Sequence, residues 1–141
     1  MFDQLRKTIV DRDPFARYLG ITIESIEEGY AKAVMPHKPE LCNGLGNLHG
    51  GASFTLADMA FAGVAMSGNI VTVNCTSTIC YTASGKEGPY TAIGRLVSES
   101  RRLCTIEVVV TDKNGTLIGM LTGTGYRKGV SYLDAPEPVK A

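Results

Sequence analysis

Tryptophan is missing from these 141 residues, and no charge of one sign is in excess: Lys plus Arg number 14 and Asp plus Glu number 14. Without a basic surplus there is little to drive nonspecific association with phosphate backbones or anionic membranes. No C-x-x-C pair occurs among Cys42, Cys75, Cys80 and Cys104, and His37 and His49 are the only histidines. A zinc site is therefore not expected, and the four cysteines read as reduced core thiols. The N-terminus, MFDQLRKTIVDRD, lacks the apolar run of a secretion signal, so a cytoplasmic protein is expected. The length excludes a multidomain machine. What is abundant is hydrophobic residues, at 44%, and glycine, at 16 residues; the first excludes wholesale disorder, and the second points to close backbone approach.

Along the chain, Phe2, Leu5 and Ile9 recur at helical spacing, and Asp13-Pro14 sets the N-cap and first turn of a second short helix, 15–19, closed by Gly20. Residues 21–27 and 30–35 alternate as a hairpin about Glu28-Gly29. An irregular loop rich in Pro, Gly and Asn covers 36–48. Residues 49–68, HGGASFTLADMAFAGVAMSG, are apolar almost all round and small, which predicts a helix buried on most sides and closely wrapped by a sheet. They are not a membrane span, being barely long enough and holding Ser53, Thr55 and Asp58. The period then changes to two, predicting strands at 71–81, 91–100, 103–112 and 116–127, the last pair joined by Asp112-Lys113-Asn114-Gly115. A single domain over 1–128 follows, with a flexible tail over 129–141. The fold expected is α+β, a long curved antiparallel sheet around one central helix.

Asp58 is the residue most in need of a reason. Its helical neighbours are Phe54, Thr55, Phe61 and Ala62, so the carboxylate is set among aromatics. Burial there would disfavour its charged form and suit a base or nucleophile; the structural alternative is a core Asp satisfied by Thr55 or by loop amides. His49-Gly50-Gly51 opens the same helix with unobstructed backbone N–H groups at the positive end of the macrodipole. That is an oxyanion site, or simply a tight turn. Asp58 lies eight residues beyond Gly50, about 12 Å along a helix axis, too far for one side chain to reach back. Both groups can act on one carbon only if two copies of the helix pack antiparallel, which implies a homodimer.

The motif N-G-x-x-x-x-H-G-G, here Asn43-Gly44 and His49-Gly50-Gly51, is followed by Leu56-Ala57-Asp58-Met59-Ala60-Phe61-Ala62. Over about residues 13–128 this resembles the hotdog-fold acyl-CoA thioesterases of the phenylacetic-acid-degradation type, within the 4-hydroxybenzoyl-CoA thioesterase-like superfamily. The resemblance implies that Asn43 and the Gly50 N–H polarise the thioester carbonyl, that His49 sits near the departing sulfur, and that Asp58 of the partner subunit attacks or activates water. It implies that Thr72 orients that water and that the dimer pairs again into a homotetramer. No separate cofactor or metal is implied, coenzyme A being part of the substrate. Oxyanion donors in a dry site contribute about 3–4 kcal/mol each. Arg101 and Arg102 either meet the coenzyme A phosphates or are solvated charges at a strand end; Arg127 and Lys128 are weaker candidates. The alternatives to hydrolysis are a hotdog acyl-thioester dehydratase or hydratase, and a non-catalytic acyl-CoA-binding domain.

Overall fold

The computed structural model describes residues 1–137. Two short helices lead in, α1 (Phe2–Asp11) and α2 (Pro14–Tyr18). The Asp13 carboxylate caps α2 by accepting from the Ala16 N–H at 2.9 Å, as its position before Pro14 predicts. Strands β1 (Thr22–Glu27) and β2 (Tyr30–Met35) form the first hairpin, turning at Gly29, whose φ of +69° suits a residue without a side chain. A loop containing one 3-10 turn, Pro39–Leu41, leads to the central helix α3 (Gly50–Ala65). Strands β3 (Ile70–Cys80), β4 (Tyr90–Glu99), β5 (Leu103–Thr111) and β6 (Leu117–Ser131) follow.

All six strands join one antiparallel sheet in the order β1-β2-β4-β5-β6-β3. Its inner face closes on α3. Leu56, Ala57, Ala60, Phe61 and Val64 of the helix are buried with Ala31, Ala33 and Met35 of β2, Ala92 of β4, and Ile106, Val108 and Val110 of β5. Small residues bring helix and sheet together: a Cβ on Gly63 would stand 2.6 Å from Ala31 Cβ, and one on Gly94 would stand 2.9 Å from Val64 and 3.1 Å from the Ala60 carbonyl. Phe61 fills the groove that Gly123 and Gly125 leave in β6. The hairpin at 112–115 is tied by the Asp112 carboxylate, which accepts from the Asn114 and Thr116 N–H groups at 2.9 and 3.0 Å.

Two expectations are corrected. The last strand does not end at 127; it runs to Ser131, and 132–135 are held to the body rather than forming the start of a loose tail. Tyr132 and Leu133 donate backbone N–H bonds to Asn69, and Arg12 donates to the Tyr132 and Ala135 carbonyls while lying over the Tyr132 ring. These clamps come from residues more than sixty positions away, which local sequence does not show. The remainder of the expected tail, 138–141, lies outside the described residues. Of the four cysteines, only Cys104 is a buried thiol; Cys75 and Cys80 are exposed on β3 and Cys42 is half-buried, all four unbridged.

Candidate active site

The start of α3 is built by the loop before it. Cys42 pairs with Leu48, and His49 donates its N–H to the Leu41 carbonyl at 2.7 Å, so the loop folds back on itself with Asn43 opposite Asn47, its N–H donating to the Asn47 carbonyl at 2.8 Å. The Asn43 Oδ1 accepts from the N–H groups of Leu45 and Asn47 at 2.9 and 3.2 Å. This fixes which end of the carboxamide is which. The Nδ2 group has no partner among the described residues and is the donor the loop presents.

His49 is the N-cap of α3, its Nδ1 accepting from the Gly51 N–H at 2.8 Å. Because a backbone amide donates to Nδ1, the ring's proton sits on Nε2. The ring is exposed. The bond also divides the glycine pair: the Gly51 amide is consumed, whereas the Gly50 N–H meets no acceptor among the described residues. One unpaired amide at the positive end of a 16-residue helix remains. Tyr81, just past β3, lies over Gly50 and donates its hydroxyl to the Gly50 carbonyl at 3.1 Å; sequence reasoning missed it, since only the register of β3 brings it there.

Asp58 is half-buried midway along α3. It is not enclosed by aromatics as its sequence neighbours imply, because Phe61 turns away under Gly123 and Gly125. Nor does Thr55 satisfy it: the Thr55 hydroxyl bonds back to the Gly51 carbonyl at 2.8 Å. Its partner is Asn74 of β3, whose Nδ2 donates to Asp58 Oδ1 at 3.1 Å and to Ser77 Oγ at 2.6 Å. Thr72, expected to orient water here, is not at this carboxylate; its hydroxyl lies against the Ala65 and Ile70 carbonyls at 3.2 and 3.0 Å, at the far end of α3. A bulge between Asn74 and Thr76 in the pairing with β6 sets which polar side chains face the helix.

Asp58 lies on a helix face that the sheet leaves uncovered. Gly51, Phe54, Thr55, Asp58 and Ala62 form a continuous stripe of exposed and half-buried positions. Arg101 and Arg102 are exposed between β4 and β5, Arg102 donating to the Tyr126 hydroxyl at 2.9 Å. Beside them Arg127 donates to the Ser100 carbonyl at 2.8 Å and pairs with Glu99. A partly open cavity of about 70 Å³, lined in part by Val64, Ala65, Ile70, Cys104 and Arg127, sits at the opposite end of α3 from Gly50. Among the described residues no group of three or more His, Cys, Asp or Glu side chains could hold a metal ion, and no helix is long and apolar enough to cross a membrane.

A six-stranded antiparallel sheet closed on one glycine-entered helix defines the hotdog fold, as in the thioesterases that the chain resembles. More particularly, residues 3–125 match the family described as a domain of unknown function, DUF4442, and the chain belongs to it. The chain is 28% identical over 120 residues to the acyl-coenzyme A thioesterase PaaI of Escherichia coli, spanning 84% of this chain and 86% of that one. It is 30% identical over 128 residues to a putative esterase of Archaeoglobus fulgidus, spanning 90% and 83%. The solved PaaI protein of E. coli superposes with a TM-score of 0.87 at 27% identity, over 91% of this chain and 94% of that one. A hypothetical thioesterase of Streptococcus pneumoniae solved with coenzyme A gives a TM-score of 0.80 at 26% identity, over 89% and 98%.

Proposed function

We propose that this protein hydrolyses an acyl-CoA thioester, aryl or medium-chain, to the free acid and coenzyme A. The observation that carries the reading is the unpaired Gly50 N–H at the head of α3, with the Asn43 carboxamide locked in the preceding loop so that its N–H₂ end is free among the described residues. A free amide at a helix N-terminus and a carboxamide donor in the loop before it suit a carbonyl oxygen that becomes an alkoxide. Relatives named as a thioesterase and a structure solved with coenzyme A support the substrate class.

The carboxylate comes from a second copy of the chain. Gly50 and Asp58 belong to one uninterrupted helix, so about 12 Å of axis separates them. Strand β3 supports the same arrangement. It is an 11-residue sheet edge with neither a charge nor a proline along it, the kind of edge that a protein leaves unguarded only where it pairs. Antiparallel pairing of two β3 edges joins the uncovered α3 stripes and brings Asp58 of one copy toward Gly50 of the other. It also carries Arg101 and Arg102 of one copy toward the other's helix entrance, where they can meet coenzyme A phosphates. Pairing of two such dimers into a tetramer completes the assembly we propose.

In the reaction, Asp58 either removes a proton from water, whose hydroxide adds to the carbonyl carbon, or adds itself to form an anhydride that water then opens. Asn43 and Gly50 hold the oxyanion as the C–S bond breaks. The His49 Nε2–H offers a hydrogen bond to the departing sulfur, and the proton taken from water ends on the thiolate. Asn74 holds the carboxylate. Thiol release from a panel of aryl- and acyl-CoA esters tests this. Turnover by the wild type and a loss of roughly 10²-fold or more in Asp58→Asn are expected. Tight binding without turnover would favour the non-catalytic alternative, and loss of the double bond of an enoyl-CoA would favour the hydratase.

A further inference from the structure

We infer that Tyr81 is a positioning residue for the oxyanion amide, an inference that rests on the thioesterase reading above. Two adjacent glycines at the helix entrance leave the backbone there with more freedom than any other pair. An oxyanion donor needs the opposite, a direction fixed before the reaction begins. The peptide joining Gly50 to Gly51 supplies it, because side chains hold both of its ends. Its N–H donates to His49 Nδ1 at 2.8 Å, and its carbonyl accepts from the Tyr81 hydroxyl at 3.1 Å. The reactive N–H lies on the other side of the same Gly50 Cα, in a peptide whose His49 carbonyl accepts from the Ala52 and Ser53 N–H groups at 3.0 and 3.1 Å, so with both planes held the Gly50 torsions between them, and with them the amide direction, are set.

Tyr81 is suited to the task by its own anchoring. Thr82, the next residue, donates its N–H to the Ile118 carbonyl at 3.1 Å and its hydroxyl to the Leu117 carbonyl at 2.8 Å. The backbone that carries the ring is therefore sewn to β6 although the ring itself is half in solvent, at 52% exposure. The ring also explains the glycine beneath it: a Cβ on Gly50 would come within 3.1 Å of Tyr81 Cζ and 3.2 Å of the hydroxyl oxygen. A half-exposed tyrosine contributes little to the core, so the contact with Gly50 is its main structural consequence.

Tyr81→Phe removes the hydroxyl and keeps the ring, so it tests the bond alone. The expected result is a fall of about fivefold in kcat for thiol release with KM unchanged, since one neutral hydrogen bond is lost and substrate binding is untouched. Gly51 amide exchange, followed by NMR on the full protein, is expected to quicken in the variant while the melting temperature changes little. An unchanged kcat, or a raised KM with kcat intact, overturns the inference. The exchange readout stands without any activity: if the wild type releases no thiol yet Tyr81→Phe still frees the Gly51 amide, the thioesterase reading falls and the positioning of this peptide survives. Gly51 exchange that is the same in both proteins rejects the positioning itself.

Discussion

At the scale of single residues, the site is a division of hydrogen bonds. His49 consumes the Gly51 amide and leaves the Gly50 amide unpaired; Asn43 spends its oxygen on the loop and keeps its nitrogen. Asp58 is held from β3 by Asn74, which Ser77 steadies in turn. Asn74→Ala is expected to lower kcat roughly tenfold, by freeing the carboxylate from its one side-chain donor, with folding intact because the position is exposed. Steady-state kinetics beside a thermal melt checks this, and an unchanged kcat counts against a role for Asn74. The spacing of Gly50 and Asp58 along α3 was legible in the sequence because a helix places its residues by counting. The contacts of Asn74 and Tyr81, and the distance of Thr72 from the Asp58 carboxylate of its own copy, were not, because the face and reach of a strand residue depend on register, and a bulge shifts the register here.

At the scale of elements, α3 and the sheet decide the architecture. The helix is alanine- and glycine-rich because β2 and β4 approach it within contact distance of Gly63 and Gly94. Gly63→Val is expected to destabilise the protein by about 1–3 kcal/mol through overpacking against Ala31, read as a lower urea midpoint. A neutral or stabilising result would contradict the close packing described. The helices and six strands were visible as changes of period, from 3.6 to 2, with Asp13, Gly29 and the Asp112–Gly115 turn marking boundaries. The end of β6 was not, because what extends it to Ser131 is clamping by Arg12 and Asn69 from elsewhere in the fold. The sheet order, with three strands between β2 and β3 so that β3 pairs with β6, also has no local signal.

At the scale of the whole molecule, ionisation and assembly become measurable. Burial pushes the Cys104 thiol and the Tyr90 and Tyr132 phenols above their ordinary values. A raised value in the folded state means that the unfolded chain gives up its proton first as pH climbs. The stabilisation is complete below the unfolded values and is lost as pH rises through the folded ones. The melting temperature is therefore expected to fall as pH is taken above the thiol's ordinary 9.0 and the phenols' ordinary 10.0; a rise over that range would contradict the burial of these groups.

Within a chain of zero net charge, Arg101, Arg102 and Arg127 lie together at one end of the sheet. A helix that holds Gly50 and Asp58 about 12 Å apart is the reason for proposing a site shared between two copies. The most direct measurement is complementation between Asp58→Asn and Asn43→Ala, each nearly inactive alone, unfolded together and refolded as an equal mixture. Random pairing gives hybrid dimers with one intact site in two, so the mixture is expected to regain about a quarter of wild-type thiol release. No recovery above the separate variants, with hybrid dimers shown to form, would contradict a site shared between two copies.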